Sequence, residues 1–162
     1  MADVRVRGAR AEDADVIVGM ARALALAVGD PPPILDAQSL LKWAIGQDRW
    51  GDCLVAQGEA GLLGYVLFCR RFEAHTAERR LWIADLFVRP EARAAGVGQH
   101  LMQEVARRAI AQACDGLVWD VWRENRSGEA FYRKLGAAAI AEVAPYELTG
   151  AALAALAAAG EG

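Results

Sequence analysis

The stretch that most limits what this chain can fold into runs from Leu81 to Gln112. A mostly apolar segment, Leu81 to Val88, ends at Arg89-Pro90. A loop with Arg93-Ala94-Ala95-Gly96-Val97-Gly98 follows, then a run in which Val97, Leu101, Met102, Val105 and Ala109 recur at helical spacing. Strand, glycine turn and helix in this order suit an anion. The first amides of a helix lack internal partners, and its dipole favours negative charge there. Gly96 and Gly98 carry no side chain to keep a phosphate from the backbone. A strand-to-helix connection without a ligand would use the same residues.

Three phosphate ligands compete for such a turn. A nucleotide-hydrolysing loop needs Lys-Ser/Thr after the glycines, where this chain has Gln99-His100. A dinucleotide fold expects its glycines after the first strand and an acidic residue closing the next one. Here the turn follows the fourth predicted strand, and Asp115-Gly116 precedes the next. The third ligand is the pyrophosphate of coenzyme A, with Arg93 as a nearby cation.

The elements around the turn read in sequence. Val4 to Arg7 alternates as a strand. Glu12 to Val28 has helical periodicity, stopped by Gly29-Asp30-Pro31-Pro32-Pro33. Asp36 to Ile45 predicts a second helix, which tertiary context can break into two turns. Asp52 to Gln57 and Leu62 to Phe72 form a hairpin across Gly58-Glu59-Ala60-Gly61. Arg70 to Arg80 is polar and reads as a loop holding Glu73 and His75. Leu117 to Trp122 is a strand and Ser127 to Leu135 a short helix ended by Gly136. One or two strands are expected in Ala137 to Leu148, and an alanine-rich helix follows Gly150. The fold class is α/β (α+β): a mixed, mostly antiparallel sheet flanked by helices, as one domain over residues 1–162.

Composition removes several functional classes. A net charge of -3 gives no general reason to expect nucleic acid or an anionic membrane as partner. Cys53, Cys69 and Cys114 sit singly in apolar segments, unlike a disulfide framework, and read as small buried hydrophobes in a reducing compartment. Arg22 and Asp30-Pro31 interrupt the apolar 16–28 segment, so no bilayer span is expected, and cytoplasmic location is the default.

Two elements in the right order carry a family resemblance. Arg93 to Gly98 resembles the Arg/Gln-x-x-Gly-x-Gly/Ala signature of the GNAT superfamily of acetyl-CoA-dependent N-acetyltransferases, with Asp85 to Glu91 similar to its lead-in strand. Asn125 to Ala137, containing Phe131-Tyr132-Arg133-Lys134-Leu135-Gly136, resembles the downstream element of the same superfamily, and Trp122 to Ala137 looks most like its diamine and spermidine/spermine acetyltransferases. The resemblance implies a sheet of six to seven strands, splayed between the fourth and fifth. It implies acetyl-CoA as co-substrate, with no metal, and a homodimer. The amides of Arg93, Ala94, Ala95, Gly96, Val97 and Gly98 would hold the pyrophosphate. Main chain of Phe87 and Val88 would pair with the pantetheine arm. Asn125 would bond that arm or its neighbouring backbone, Phe131 would pack on the coenzyme, and Tyr132 would sit near the thioester sulfur.

The implied chemistry poses two proton problems. An alkylamine with a pKa near about 10.4 is nucleophilic in only on the order of one molecule in a thousand at pH 7. The departing thiolate also needs a proton, which a phenol with a pKa of about 10 can supply, so Tyr132 suits a general acid. The base stays open. Close polyamine-acetylating relatives carry Glu just before the Asp of the fourth strand, whereas this chain has Ala84 before Asp85. Strict strand alternation would turn Asp85 to the other face. Asp85 can be base, water-positioning group or structural acceptor, with Glu124, Glu73, His75 and an ordered water chain as competitors. Residues 29–50 and 70–80 are expected to build the acceptor pocket. Pro31 to Pro33, Trp43 and Trp50 could form an apolar wall, while Asp30, Asp36 and Asp48 could attract a cationic amine; core packing for the tryptophans, and helix caps and solvated turns for the aspartates, are the favoured explanations. The expected function is acetyl transfer to a primary amine on a small molecule, by direct attack in a ternary complex. A protein N-terminus or lysine is the alternative acceptor, and a non-catalytic acyl-CoA-binding domain the alternative of another class.

Overall fold

The computed structural model describes residues 4–140 and 148–158. The described residues of Met1–Glu129 and of Ala130–Gly162 form two compact units. The first holds a five-stranded sheet in sequence order: β1 (Arg5–Gly8), β2 (Asp52–Gly58), β3 (Gly61–Glu73), β4 (Glu78–Val88) and β5 (Gly116–Trp119). The first three pairings are antiparallel and the β4–β5 pairing is parallel. The expectation of six to seven strands gives way to five among the described residues. The extra strands were assigned to Ala137 to Leu148; residues 137–140 and 148 are not extended into the sheet, and 141–147 lie outside the described residues.

Helices cover both faces of the sheet. A 3-10 turn, Ala11–Asp13, leads into α1 (Ala14–Val28), which buries Ala14, Ile17, Val18, Met20 and Ala21. These pack with Leu40, Cys53, Val55, Tyr65 and Phe87. The turn is tied to β1 by Arg7, whose two terminal nitrogens donate to Asp13 at 2.7 and 3.0 Å. Helix α1 ends at Gly29 in the left-handed region, and Asp30 N–H reaches back to Ala25 O at 2.9 Å. The second helix does break, as its sequence allowed. Helix α2 (Ala37–Leu40), capped by Asp36 on the Ser39 amide at 2.7 Å, widens into a π turn over Leu41–Ile45. On the opposite face, α3 (Val97–Ala111) buries Val97, Leu101, Met102, Val105 and Ala109, the stripe read from the sequence. Adjacent residues of β3 separate the two layers. Tyr65 belongs to the α1 cluster, while a Cβ on Gly64 would lie 3.4 Å from Leu101 of α3.

The polar 70–80 segment is not a loop. Strands β3 and β4 extend through it as a hairpin, leaving only Ala74 to Ala77 as the turn. Cross-strand pairing of Arg71 with Arg80 and of Glu73 with Glu78, with ion pairs along each strand from Arg71 to Glu73 and from Arg80 to Glu78, outweighs its polar composition.

Helix α4 (Arg126–Lys134) begins in the first unit. In the second, it ends at Gly136, which is left-handed at φ 91°. The amides of Gly136 and Ala137 bond the carbonyls of Arg133 and Tyr132 at 3.0 and 3.1 Å, closing a Schellman motif. Helix α5 (Gly150–Ala158) follows.

Candidate active site

Two local events open the sheet beside β4. The parallel β4–β5 pairing covers only Arg80 to Ile83 against Gly116 to Trp119. Asp115 pins the start of this pair, its carboxylate and amide bonding the Arg79 main chain at 2.8 and 2.7 Å. Strand β4 then continues to Val88 with no sheet partner on that side among the described residues. The pairing stops at a β-bulge. Phe68 faces Ile83 and Leu67 faces Asp85, so Ala84 is the extra residue. Strict alternation therefore fails at Ala84. The bulge returns Asp85 and Phe87 to the face of Trp82, where Tyr65 and the α1 cluster lie.

The direction of each peptide along this edge can be traced. Arg89 N–H donates to Leu63 O at 2.9 Å, and a Cβ on Gly64 would meet Phe87 O at 2.5 Å. Both observations turn the main chain of residues 87 and 89 toward β3. By alternation, Leu86 and Val88 offer theirs to the open edge. The Val88 carbonyl accepts from Arg93 Nε at 3.1 Å. Of the expected pair Phe87 and Val88, only Val88 presents its main chain to the gap, and Leu86 stands where Phe87 was expected.

The glycine turn begins beyond Val88. A 3-10 turn, Pro90–Ala92, leads into it, and Gly96 caps α3 at φ 82°. A side chain at Gly96 would meet only His100 Cε1, at 4.0 Å, so space above the turn is open. Ala94 is also left-handed, at φ 63°, a conformation that costs an L-residue about 1–2 kcal/mol. Left-handed turns of this kind direct successive amides into an anion-binding concavity. Ala95 completes the turn and Val97 and Gly98 supply the first helical amides. An anionic group such as the coenzyme pyrophosphate fits this opening by shape and by charge.

The candidate bases separate by their surroundings. Glu73 is paired with Arg71, His75 is exposed at the hairpin tip, and Glu124 is exposed. Asp85 is half-buried on β4 itself. Its Oδ2 accepts from the Tyr65 hydroxyl at 3.1 Å. Burial raises its carboxyl above the usual carboxylate range, and the Tyr65 hydrogen bond opposes that rise. The same burial, with the Asp85 charge, pushes the Tyr65 phenol far above its ordinary value.

Asn125 has a local task. Its Oδ1 accepts from Gly128 N at 2.9 Å and from Ser127 Oγ at 3.1 Å, which makes it the N-cap of α4. Gly128 is part of that cap, since a Cβ there would stand 2.6 Å from Asn125 Nδ2. In the second unit the Phe131 and Tyr132 rings lie 5.1 Å apart. Burial pushes the Tyr132 phenol up to about 12.

On the expected acceptor side, Trp43 and Trp50 meet edge to face at 6.4 Å, and Trp50 is 83% exposed. A cavity of about 310 Å³ beside them is lined by Gln47, Arg49, Trp50, Gly51, Asp52, Cys69 and Arg70. Asp36 is engaged in capping α2, and Asp52 pairs with Arg49 at 2.8 Å. Among the described residues, no group of three or more His, Cys, Asp or Glu could hold a metal, and no helix is long and apolar enough to cross a membrane.

Tyr65, Leu86, Asp115 and Gly128 were not singled out from the sequence. Tyr65 sits in an apolar run, where its hydroxyl was the one available signal. Leu86 depends on peptide direction, which a one-dimensional pattern does not carry.

Residues 20–137 match the acetyltransferase (GNAT) family. The chain is 28% identical over 155 residues to thialysine N-epsilon-acetyltransferase of Sus scrofa, covering 88% of both chains. It is 31% identical over 109 residues to the L-ornithine N5-acetyltransferase of Arabidopsis thaliana, covering 67% of this chain and 45% of that one. Among solved structures, an integron cassette protein from V. cholerae superposes with a TM-score of 0.76 at 26% identity, covering 95% of this chain and 97% of the other. The ribosomal-protein-alanine N-acetyltransferase of Brucella melitensis biovar Abortus 2308 shares the fold, with a TM-score of 0.71 at 24% identity and coverage of 91% and 99%. The chain belongs to the acetyltransferase (GNAT) family, whose members use acetyl-CoA as co-substrate.

Proposed function

We infer that this acetyltransferase moves the acetyl group of acetyl-CoA to a primary amine on a small molecule, by direct attack in a ternary complex. The open β4 edge running into the glycine turn carries this reading, with the half-buried Asp85 on the same strand. The edge amides and carbonyls of Leu86 and Val88 suit an extended arm added as a further strand. The amides from Ala94 to Gly98 suit the pyrophosphate, whereas the Arg93 amide, expected to join them, already bonds the Pro90 carbonyl at 3.2 Å. Bound acetyl-CoA supplies the activated acyl carbon and a thiolate leaving group. Asp85 takes the proton from the ammonium; its raised carboxyl is a stronger base than an exposed aspartate. Tyr132 returns a proton to the leaving sulfur. Its phenol, pushed up to about 12, is neutral across the physiological range and so carries the proton it must donate. Both curated relatives cited above are named for acetylating a side-chain amine of a small amino acid, which supports a small amine acceptor. Action in the cytoplasm belongs to the same proposal, supported by three cysteines without disulfides. The homodimer and the single domain over residues 1–162 are carried by the family resemblance, with the family match over residues 20–137 in support.

The test is a panel of amines assayed with acetyl-CoA for thiol release, alongside coenzyme-dependent thermal stabilisation. Tyr132→Phe should lower turnover by about 10²-fold or more, within the range for general acid–base catalysis, while coenzyme stabilisation survives. Gly96→Trp should abolish that stabilisation. An unchanged coenzyme affinity in Gly96→Trp removes the phosphate turn from the reading. Unchanged turnover in Tyr132→Phe removes the acid.

A further inference from the structure

Tyr65 is fully buried, at 0% exposure, and is the largest side chain so enclosed. A phenylalanine would fill the same space between α1 and the sheet without bringing a hydroxyl. A buried hydroxyl must be hydrogen-bonded or it costs the fold its full desolvation. Here the hydroxyl reaches across the β3–β4 pair to Asp85 Oδ2 at 3.1 Å. The contact depends on the bulge. Tyr65 faces Phe87 and Asp85 faces Leu67, so ring and carboxylate occupy one face only because Ala84 is looped out. No hydrogen bond among the described residues engages Asp85 Oδ1.

Ionisable groups near the pair are Cys53 on β2, Cys69 on β3 and Asp13 before α1, with Asp52 at the start of β2 and the Arg93 guanidinium 6.0 Å from the Phe87 ring. Asp13 is already held by Arg7, and Asp52 by Arg49. Helices α1 and α2 turn apolar residues to the cluster, Ile17, Met20 and Leu40 among them. Across the sheet, α3 also packs on β4 with apolar residues, while its Glu104 pairs with Arg107 and Arg108. Strand β5 brings Leu117, Val118 and Trp119 opposite β4, none of them titratable. Burial and the Tyr65 hydroxyl are thus the two influences on the Asp85 carboxyl.

We propose that Tyr65 is a positioning residue for acetyl transfer, its hydroxyl fixing the Asp85 carboxylate beside the open β4 edge so that Oδ1 meets the acceptor amine. This rests on the reading of Asp85 as base. The proton leaving the ammonium passes to the carboxylate and from there to water; the freed amine forms its bond to the acetyl carbon, the carbon–sulfur bond breaks, the leaving thiolate takes the Tyr132 proton, and the second nitrogen proton, lost as the amide forms, returns to Tyr132 through water. The hydroxyl stabilises the charged form that must accept the proton.

The experiment compares Tyr65→Phe and Asp85→Asn with the unaltered enzyme. It uses kcat and kcat/KM against pH, with the Asp85 carboxyl titrated by carbon-13 NMR. Tyr65→Phe should leave KM for acetyl-CoA unchanged, lower kcat about tenfold, as expected for a hydrogen bond to a charged group, and move the acid limb and the carboxyl titration to higher pH. A 3-fluorotyrosine at position 65 keeps the shape and donates more strongly. It should move both to lower pH, and it serves where Tyr65→Phe does not fold. Unmoved limb and titration in the fluorotyrosine enzyme and in any folded Tyr65→Phe overturn the proposal. Asp85→Asn tests the underlying reading separately: full turnover in that variant removes Asp85 as base, whatever Tyr65 does to its titration.

Discussion

Gly64→Ala is expected to damage both stability and coenzyme binding, through a single added methyl group. Gly64 faces α3 from β3 and lies opposite Val88. Its new Cβ would stand 2.5 Å from Phe87 O, 3.3 Å from Val88 Cα and 3.4 Å from Leu101 Cδ1. Ordinary C···O contacts run about 3.3–3.6 Å, so β4 must retreat by about 1 Å. Two of the three neighbours are backbone, which cannot rotate away as a side-chain tip can. Overpacking of this kind costs about 1–3 kcal/mol, and a weakened ladder hydrogen bond adds about 1 kcal/mol. Reduced freedom of the unfolded chain returns about 0.4–1 kcal/mol. The net loss is about 1–3.6 kcal/mol. Gly19→Ala is the matched control: it lies mid-helix in α1, exposed, with nothing within 4 Å of its Cβ. That substitution should stabilise by about 0.8–1 kcal/mol. Urea denaturation of both variants should move the midpoints in opposite directions. Because the displaced segment carries Val88, Gly64→Ala should also reduce the thermal stabilisation given by coenzyme A, and Gly19→Ala should not. Midpoints that shift the same way refute the argument, as does a Gly64→Ala protein with full coenzyme response.

Asp13→Asn breaks a part-buried, two-point pair with Arg7 and should cost about 1.5–3 kcal/mol. Arg7 holds the Asp13 carboxyl below its usual range, so its contribution is complete above the unfolded value of about 3.9 and disappears as pH falls through the folded value. The gap between variant and wild type in urea midpoint should therefore narrow in acid; a constant gap refutes the assignment. Asn125→Ala removes the cap of α4 and should cost about 1 kcal/mol, and Gly128→Ala should crowd the same cap. The double variant should then lose less than the sum, which a double-mutant cycle on thermal stability checks. With the Tyr132 phenol pushed up to about 12, the rate should show no basic limb near pH 10 from this group; a limb there that vanishes in Tyr132→Phe contradicts the burial.

The difference between what the chain disclosed and what it withheld lies in β4. Its existence, its apolar character and the helix after it follow from periodicity, because burial on one face repeats every two residues in a strand and every 3.6 in a helix. Gly96 and the Asn125 to Gly136 segment were legible because left-handed turns and caps demand particular residue types. A bulge demands no residue type, and nothing at Ala84 announces one. Yet the whole arrangement depends on it. Counted without the bulge, Asp85 falls on the face opposite Trp82 and has no route to Tyr65. Counted with it, the two join across the strands, and the parallel pairing to β5 ends at the same place. The extended 70–80 hairpin escaped for a related reason: its polar composition reads as a loop, but the segment folds back on itself, Arg71 opposite Arg80 and Glu73 opposite Glu78, and such pairing leaves no alternation of apolar residues to read. The Ala84 position, where close relatives carry a carboxylate, therefore does not by itself remove a base from β4. The looped-out residue changes which neighbour shares a face with Tyr65, and it leaves Asp85 there, hydrogen-bonded to the Tyr65 hydroxyl. An Ala84→Glu substitution would add a second acidic group next to Asp85 without undoing the Tyr65 contact. On this geometry, it should leave Tyr65→Phe as damaging as before.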